Sequence, residues 1–361
     1  MKIRDLLKRL EVLAPSAYAE DWDNCGLLTG DPDWKLNGIT LTLDVTPAAV
    51  RACVRRKCNM MISHHPLIFK SLKTLREDCG SGSLLAELIR RRIAVAALHT
   101  NFDSSPRGHN VWIAQKLGLE EITPLQPCSD IWKLVTFVPE GWEDRVRKAL
   151  SRAGAGCIGK YTECTFTVNG EGTFRGGEGT CPAIGRSGEL EKVCEVRMEM
   201  VCEGWMRSAV ARALCEVHPY EEPAYEFIRI HAPEKNVGLG RMGTLKRPVT
   251  LNTIAGKIKK ILSIPRLRIG GAVPDSVCRI AVCTGAGEDL IRRAVSEGCD
   301  LMITGDISYH NWDAPGLCLI DAGHYGTEKV FPAVMKELLT PDMEKGIPVS
   351  CFEISPPFTE K

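Results

Sequence analysis

Two histidines stand side by side in Ser63-His64-His65-Pro66, and a third precedes a glutamate by four residues in Gly323-His324-Tyr325-Gly326-Thr327-Glu328. Asp103, in His99-Thr100-Asn101-Phe102-Asp103, adds a second carboxylate. Each group follows a short apolar run. Three imidazoles and two carboxylates exceed the needs of one tetrahedral ion and suit two divalent metals sharing a site. Neutral imidazoles fix the geometry of borderline ions, whereas carboxylates add negative charge and can bridge. Glu328 is the natural bridge, because a shared anion offsets the repulsion between two cations. Water between such cations loses a proton near neutral pH and becomes a nucleophile, which is hydrolytic chemistry.

The spacing constrains how these side chains can meet. Neighbours in a strand point to opposite faces, so His64 and His65 converge only if the chain turns there, and Pro66 helps end the strand. His324 and Glu328 are four apart in what reads as a helix start, which stacks them on one face. Other polar groups fall nearby. Asp44 ends an earlier strand, and Asp306 and His310 follow a later one. His99 precedes Asp103 by four residues and either orients a ligand or is a satisfied structural histidine. The turn-rich Asp21-Trp22-Asp23-Asn24-Cys25-Gly26 is either a helix cap or a loop over the site. His109 and His231 read as solvated surface residues.

The elements that carry these groups are duplicated. Ile39-Thr40-Leu41-Thr42-Leu43-Asp44, a helical stretch and Cys58-Asn59-Met60-Met61-Ile62-Ser63 are echoed by Ile280-Ala281-Val282-Cys283-Thr284-Gly285, a helical stretch and Cys299-Asp300-Leu301-Met302-Ile303-Thr304. The displacement is 241 residues, pairing Cys58 with Cys299 and Met61 with Met302. A third strand follows in each copy, Ile93 to Leu98 and Leu317 to Ile320. Short apolar strands separated by helices imply parallel pairing covered by helices, with functional groups past the strands' carboxyl ends. The expected fold is therefore α/β: a duplicated strand–helix core whose halves, 1–126 and 236–361, face each other across a shared dimetal cleft.

Between the halves, 127–235 reads strand, helix, two strands, helix, strand, the order of a ferredoxin-like α+β unit. Gly170, Gly172, Gly176, Gly177 and Gly179 suggest a loop at its middle. Their spacing fits no Walker or dinucleotide pattern.

Composition excludes several classes. A formal charge of +1 gives no overall basic field for nucleic acid or anionic lipid. No apolar stretch approaches the roughly 20 residues needed to span a bilayer, and the N-terminus reads as an amphipathic helix rather than a signal peptide. The 16 cysteines contain no Cys-x-x-Cys, and several sit inside apolar strands. They read as reduced thiols of a cytoplasmic protein.

The chain resembles the GTP cyclohydrolase type 2 homologues, also called the dinuclear metal-centre or Ngg-interacting-factor-like family. The resemblance runs over essentially the whole length. It rests on Glu20-Asp21-Trp22-Asp23-Asn24, Ser63-His64-His65-Pro66-Leu67-Ile68-Phe69, His99-Thr100-Asn101-Phe102-Asp103, Thr304-Gly305-Asp306 with His310, and the Gly323–Glu328 motif. It implies His64, His65, Asp103, His324 and Glu328 as ligands of two divalent ions, zinc, manganese or iron. It favours an acid/base or supporting role for Asp306 and His310. His218-Pro219-Tyr220-Glu221-Glu222-Pro223-Ala224-Tyr225 resembles CutA-like and PII-like modules. This implies a homohexamer, with the acids around His218 in a packed interface rather than a second metal site. The implied activity is hydrolysis of a nucleotide or related small molecule; the alternative is a metal-loaded regulator that binds a partner.

Overall fold

The computed structural model describes residues 1–78, 80–128, 131–230, 236–356 and 358. The chain divides into two compact units, Met1–Cys128 with Lys235–Lys361, and Ser129–Glu234. Among the described residues the architecture is mixed α/β with three sheets.

The larger unit contains two of the sheets. One has the strand order Gly26–Thr29, Ala94–Ala97, Met60–Ser63, Ile39–Thr42, Val349–Cys351. The other has the order Arg268–Gly271, Cys318–Asp321, Leu301–Gly305, Ser276–Ala286, Gly238–Thr250, Glu120–Pro127. In each, the three strands of the sequence repeat run parallel, and an antiparallel strand flanks the third. The strand Glu120–Pro127 leaves the first half and pairs with Gly238–Thr250 of the second. The halves therefore exchange sheet partners as well as facing groups.

The parallel strands read as unbroken apolar runs because both faces are covered. Met60 and Ile62 point into a core shared with Ile280, Val282, Leu301 and Ile303 of the second sheet. Met61, between them, points the other way onto Val50, Cys53 and Val95. The shared core is sealed by apolar stripes of the helices Ile3–Leu13, His109–Leu117, Leu251–Leu262 and Phe331–Leu339.

The repeat extends to local detail. Helix Pro47–Arg55 starts with Thr46 accepting from the Ala49 N–H and has Pro47 in its first turn. It ends with left-handed Lys57 and a Cys58 N–H bond back to the Cys53 carbonyl, 3.0 Å. In the second copy Gly298 is left-handed and the Cys299 N–H bonds the Ala294 carbonyl, also 3.0 Å. Cys53 and Cys58 thus meet as the apolar contact of a helix-terminating turn.

The smaller unit runs Ile131–Pro139, Glu143–Arg152, Phe166–Arg175, Leu190–Glu203, Arg207–Val217, Tyr225–Ile230, a βαββαβ order with an antiparallel four-stranded sheet. Leu134, Val138, Met198 and Met200 pack on Val146, Leu150, Val210 and Leu214 of the two helices. Gly170 and Gly172, expected in a loop, lie within a strand. A Cβ on Gly172 would stand 2.0 Å from the Glu195 carboxylate, so the glycine makes room for a side chain on the adjacent strand. His231 lies outside the described residues. Among the described residues no helix is long and apolar enough to cross a membrane.

Candidate metal centre

His64 and His65 follow the strand Met60–Ser63 in a bend, and both backbone N–H groups bond the Leu43 carbonyl, at 3.2 and 3.1 Å. The bend brings the two rings to the same side, their centroids 5.1 Å apart. His64, fully buried, lies 3.8 Å through Nε2 from Asp103 Oδ1 and 3.5 Å from Glu328 Oε1. His65 lies 2.9 Å through Nε2 from Glu328 Oε2. The short helix His324–Glu328, entered at left-handed Gly323, stacks His324 over Glu328, with Nε2 3.1 Å from the same Oε2. All five expected ligands therefore meet. Ligand atoms within 4.8 Å of one another form the groups His65/His324/Glu328, His64/Asp103/His109 and His64/His65/His99.

Each of the three histidines has its other nitrogen already engaged. His64 Nδ1 donates to the Leu98 carbonyl at 2.7 Å, His65 Nδ1 to Asp44 Oδ1 at 2.7 Å, and His324 Nδ1 to Asp306 Oδ2 at 2.9 Å. A proton on Nδ1 leaves Nε2 a bare lone pair in the neutral ring. Three such lone pairs then face one buried carboxylate. His64 Nε2 and Glu328 Oε2 accordingly have no hydrogen-bond partner, although Oε2 is at contact distance from two rings. Buried acceptors facing acceptors are costly unless cations lie between them. Outer hydrogen bonds that fix the tautomer are the usual setting of metal-bound histidine. The donor set thus fits divalent metal.

Electrostatics agree with that reading. Burial works against charge on His65, but the Asp44 and Glu328 carboxylates outweigh it and raise its pKa to about 10. Glu328 raises His324 to about 9 against burial, with help from Asp306. Burial pushes the Glu328 carboxyl up, yet His64, His324 and His65 together hold it well below its ordinary value. Asp103 is likewise lowered, because His64 and His109 overcome its burial. His64, in the driest position, is lowered by burial. Protons on His65 and His324 do in the metal-free protein what cations would do in the loaded one.

The surrounding residues divide by what they touch. Asp44 and Asp306 orient His65 and His324. His99 is held by Asp23, which accepts from its Nδ1 at 2.9 Å and from the Thr100 N–H at 3.0 Å. The Asp21–Gly26 turn therefore packs against the site through Asp23. His310 is exposed on the turn Tyr309–Trp312, its ring edge-on to Tyr309.

His109, expected at the surface, is fully buried against Asp103. The Gly108 turn and the helix that starts at His109 fold it back under the strand end, a long-range outcome that residue type alone does not signal. Two further residues shape the site without a local sequence signature. Gly285, with φ +66°, leaves room for Glu328; a Cβ there would stand 2.3 Å from Oε1. Arg241, almost completely buried, donates to the carbonyls of Gly240 at 2.7 Å, Ser104 at 2.9 Å and Ser105 at 2.8 Å, so it anchors the chain just after Asp103. The displacement of 241 residues places Gly285 opposite Asp44, and that was the available signal.

Known proteins resemble this chain over most of its length. A GTP cyclohydrolase 1 type 2 homolog of Bacillus subtilis is 36% identical over 354 residues, covering 97% of this chain and 95% of its own. One from Halalkalibacterium halodurans is 36% identical over 339 residues, covering 92% and 91%. The crystal structure of a Bacillus cereus protein related to NIF3 superposes with a TM-score of 0.81 at 33% identity, covering 100% of this chain and 99% of that one. The family model for Duf34/NIF3 (NGG1p interacting factor 3) matches residues 1–357, and the chain belongs to that family.

Proposed function

We propose that the protein is a hydrolase dependent on two divalent metals, acting on a nucleotide or related small molecule. One observation carries the reading: three imidazole Nε2 atoms, fixed by Nδ1 partners, converge on the buried Glu328 carboxylate. In this reading His64, Asp103 and Glu328 would hold one ion, and His65, His324 and Glu328 would hold the other. Zinc, manganese and iron all suit such mixed ligation. Two ions of this kind supply Lewis acidity and activate water. The chain's own residues do the rest. Asp44, the Leu98 carbonyl and Asp306 keep the rings aimed. Proton transfer with substrate falls to Asp306, whose second carboxylate oxygen has no partner among the described residues, to His310 on the exposed turn that follows, and to His99.

The substrate class is supported by Trp22 and Phe69. Both are about half exposed, their rings are 5.8 Å apart, and they stand 6.0 and 6.3 Å from the His99 ring. They offer an exposed apolar lip beside the candidate ligands, against which a planar base could pack. The name borne by the relatives, GTP cyclohydrolase 1 type 2 homolog, points the same way. The buried free thiols Cys283 and Cys318 support a reducing cytoplasmic setting. Exposed Phe166, Val168 and Ile228 on the inserted unit support assembly through it, into the homohexamer that the family resemblance implies.

The test is turnover of a nucleotide panel by chelator-stripped protein before and after metal is restored. Restored turnover that Glu328→Gln and His65→Ala both abolish, with the assembly intact, supports the reading. Absence of turnover with both ions bound refutes it. A second reading, a metal-loaded regulator, is favoured by a cavity of about 800 Å³ in the inserted unit, lined by Phe137, Phe174, Glu195 and Tyr220 among others. It predicts ligand or partner binding that survives removal of the metals.

A further inference from the structure

We infer that His109 is a positioning residue of the metal centre: it fixes Asp103 through Nε2–H and thereby sets the affinity of the ion shared with His64. The inference rests on the metal-centre reading above, though not on any catalytic activity.

His109 is fully buried at the start of helix His109–Leu117, between the rings of Phe102, Phe331 and His64, with centroids at 5.4, 6.4 and 4.8 Å. Its Nε2 is at hydrogen-bond distance from Asp103 Oδ1 and 2.7 Å from Thr284 Oγ1. An ionised carboxylate only accepts, so the ring proton sits on Nε2. That leaves Nδ1 bare, and Nδ1 is a buried nitrogen with no hydrogen-bond partner. The ring thus bears a desolvation cost at one nitrogen while the other holds Asp103. A histidine retained only for packing has no need of that cost, since an apolar side chain would fill the space between two phenylalanines without it.

The support behind Asp103 is a frame that joins the two halves. The Thr284 hydroxyl reaches Asp103 Oδ1 at 3.4 Å. The Thr284 N–H donates to Asn110 Oδ1 at 2.9 Å, and Asn110 Nδ2 donates to the Asp103 carbonyl at 3.2 Å. Asp103, His109 and Asn110 belong to the first half, and Thr284 to the strand Ser276–Ala286 of the second. Asp103 Oδ1 is also the Asp103 oxygen that faces His64 Nε2, at 3.8 Å. One carboxylate oxygen is therefore held from behind by His109 and Thr284 while facing His64 in front. Outer partners of this kind typically govern 10–100-fold in metal affinity.

The experiment compares full-length wild type, His109→Leu and His109→Gln. Zinc affinity is read by competition with a chromophoric chelator, and melting is read on the stripped proteins. His109→Leu should weaken one of the two zinc sites by about 10–100-fold. His109→Gln, whose amide N–H can replace the Nε2 donor, should recover most of the loss. Stripped His109→Leu should melt below the wild-type temperature, because the buried Asp103 carboxylate loses its donor, and His109→Gln should recover part of that loss. Wild-type affinity in the leucine variant overturns the inference. So does a glutamine variant as weak as the leucine one whose zinc absorption edge has lost one nitrogen ligand, which would make His109 a direct ligand. A wild type that takes up no zinc would instead bring down the metal-centre reading itself.

Discussion

Loading the metal-free protein with zinc should expel about two protons per chain, and the structure says which two. Three imidazoles face Glu328, but they differ in charge before metal arrives. His64 is kept neutral by burial. His65 and His324 are held at about 10 and about 9 by the carboxylates around them. At about pH 7.5 both are more than roughly nine-tenths protonated, whereas Glu328 and Asp103, held below their ordinary values, are already ionised. Metal must displace the Nε2 protons of His65 and His324 and nothing from His64 or the carboxylates. A water activated in the centre would add at most about one more. The apparent affinity for the zinc ion held by His65 and His324 should accordingly rise about 100-fold per pH unit below about pH 8.5, and that for the other ion should change little. Titration calorimetry in buffers of different ionisation enthalpy counts the protons directly. A count near zero at that pH would mean that the two rings are neutral in the empty site, and the charge pattern derived above would be wrong.

Stability of the stripped protein should follow the same groups. His65 and His324 have folded pKa values above their ordinary 6.5, so their contribution is complete below pH 6.5 and lost as pH rises through about 9 and about 10. Melting temperature should fall over that window and flatten once zinc is bound. Asp44→Ala removes the acceptor of His65 Nδ1 and should weaken zinc binding about 10–100-fold, measured by chelator competition. Gly285→Ala forces a Cβ onto Glu328 and a side chain into positive φ; a cost of about 1–3 kcal/mol is expected in urea unfolding, together with weaker metal binding. Arg241→Met deprives several buried carbonyls of their donor, and about 3 kcal/mol or more should be lost in the same assay.

The two halves of the core were legible because a parallel α/β repeat writes the same apolar runs twice. Cys58 and Cys299, 241 residues apart, occupy equivalent positions after equivalent helix ends. His64, His65, Asp103, His324 and Glu328 were legible because each follows a strand of that repeat, where such folds gather functional groups. The strand Glu120–Pro127 was not, since its sheet partner Gly238–Thr250 lies beyond the inserted unit and local pattern does not name a distant partner. The strand containing Gly170 and Gly172 was misread because glycine ordinarily signals a turn; here it accommodates Glu195 on the neighbouring strand.

Residue type and spacing by themselves determined which atoms are able to bind metal and on which ends of which strands they lie. They also fixed the stacking of His324 over Glu328, because four residues of helix return to the same face. Only the tertiary structure decided which nitrogen of each ring is free, since that depends on Leu98, Asp44 and Asp306 arriving from elsewhere in the chain. It alone turned His109 from an expected surface residue into the support of Asp103, and Arg241 into a buried clamp. Periodicity is a local property of the chain, whereas tautomer, burial and charge are set by neighbours that only folding brings together.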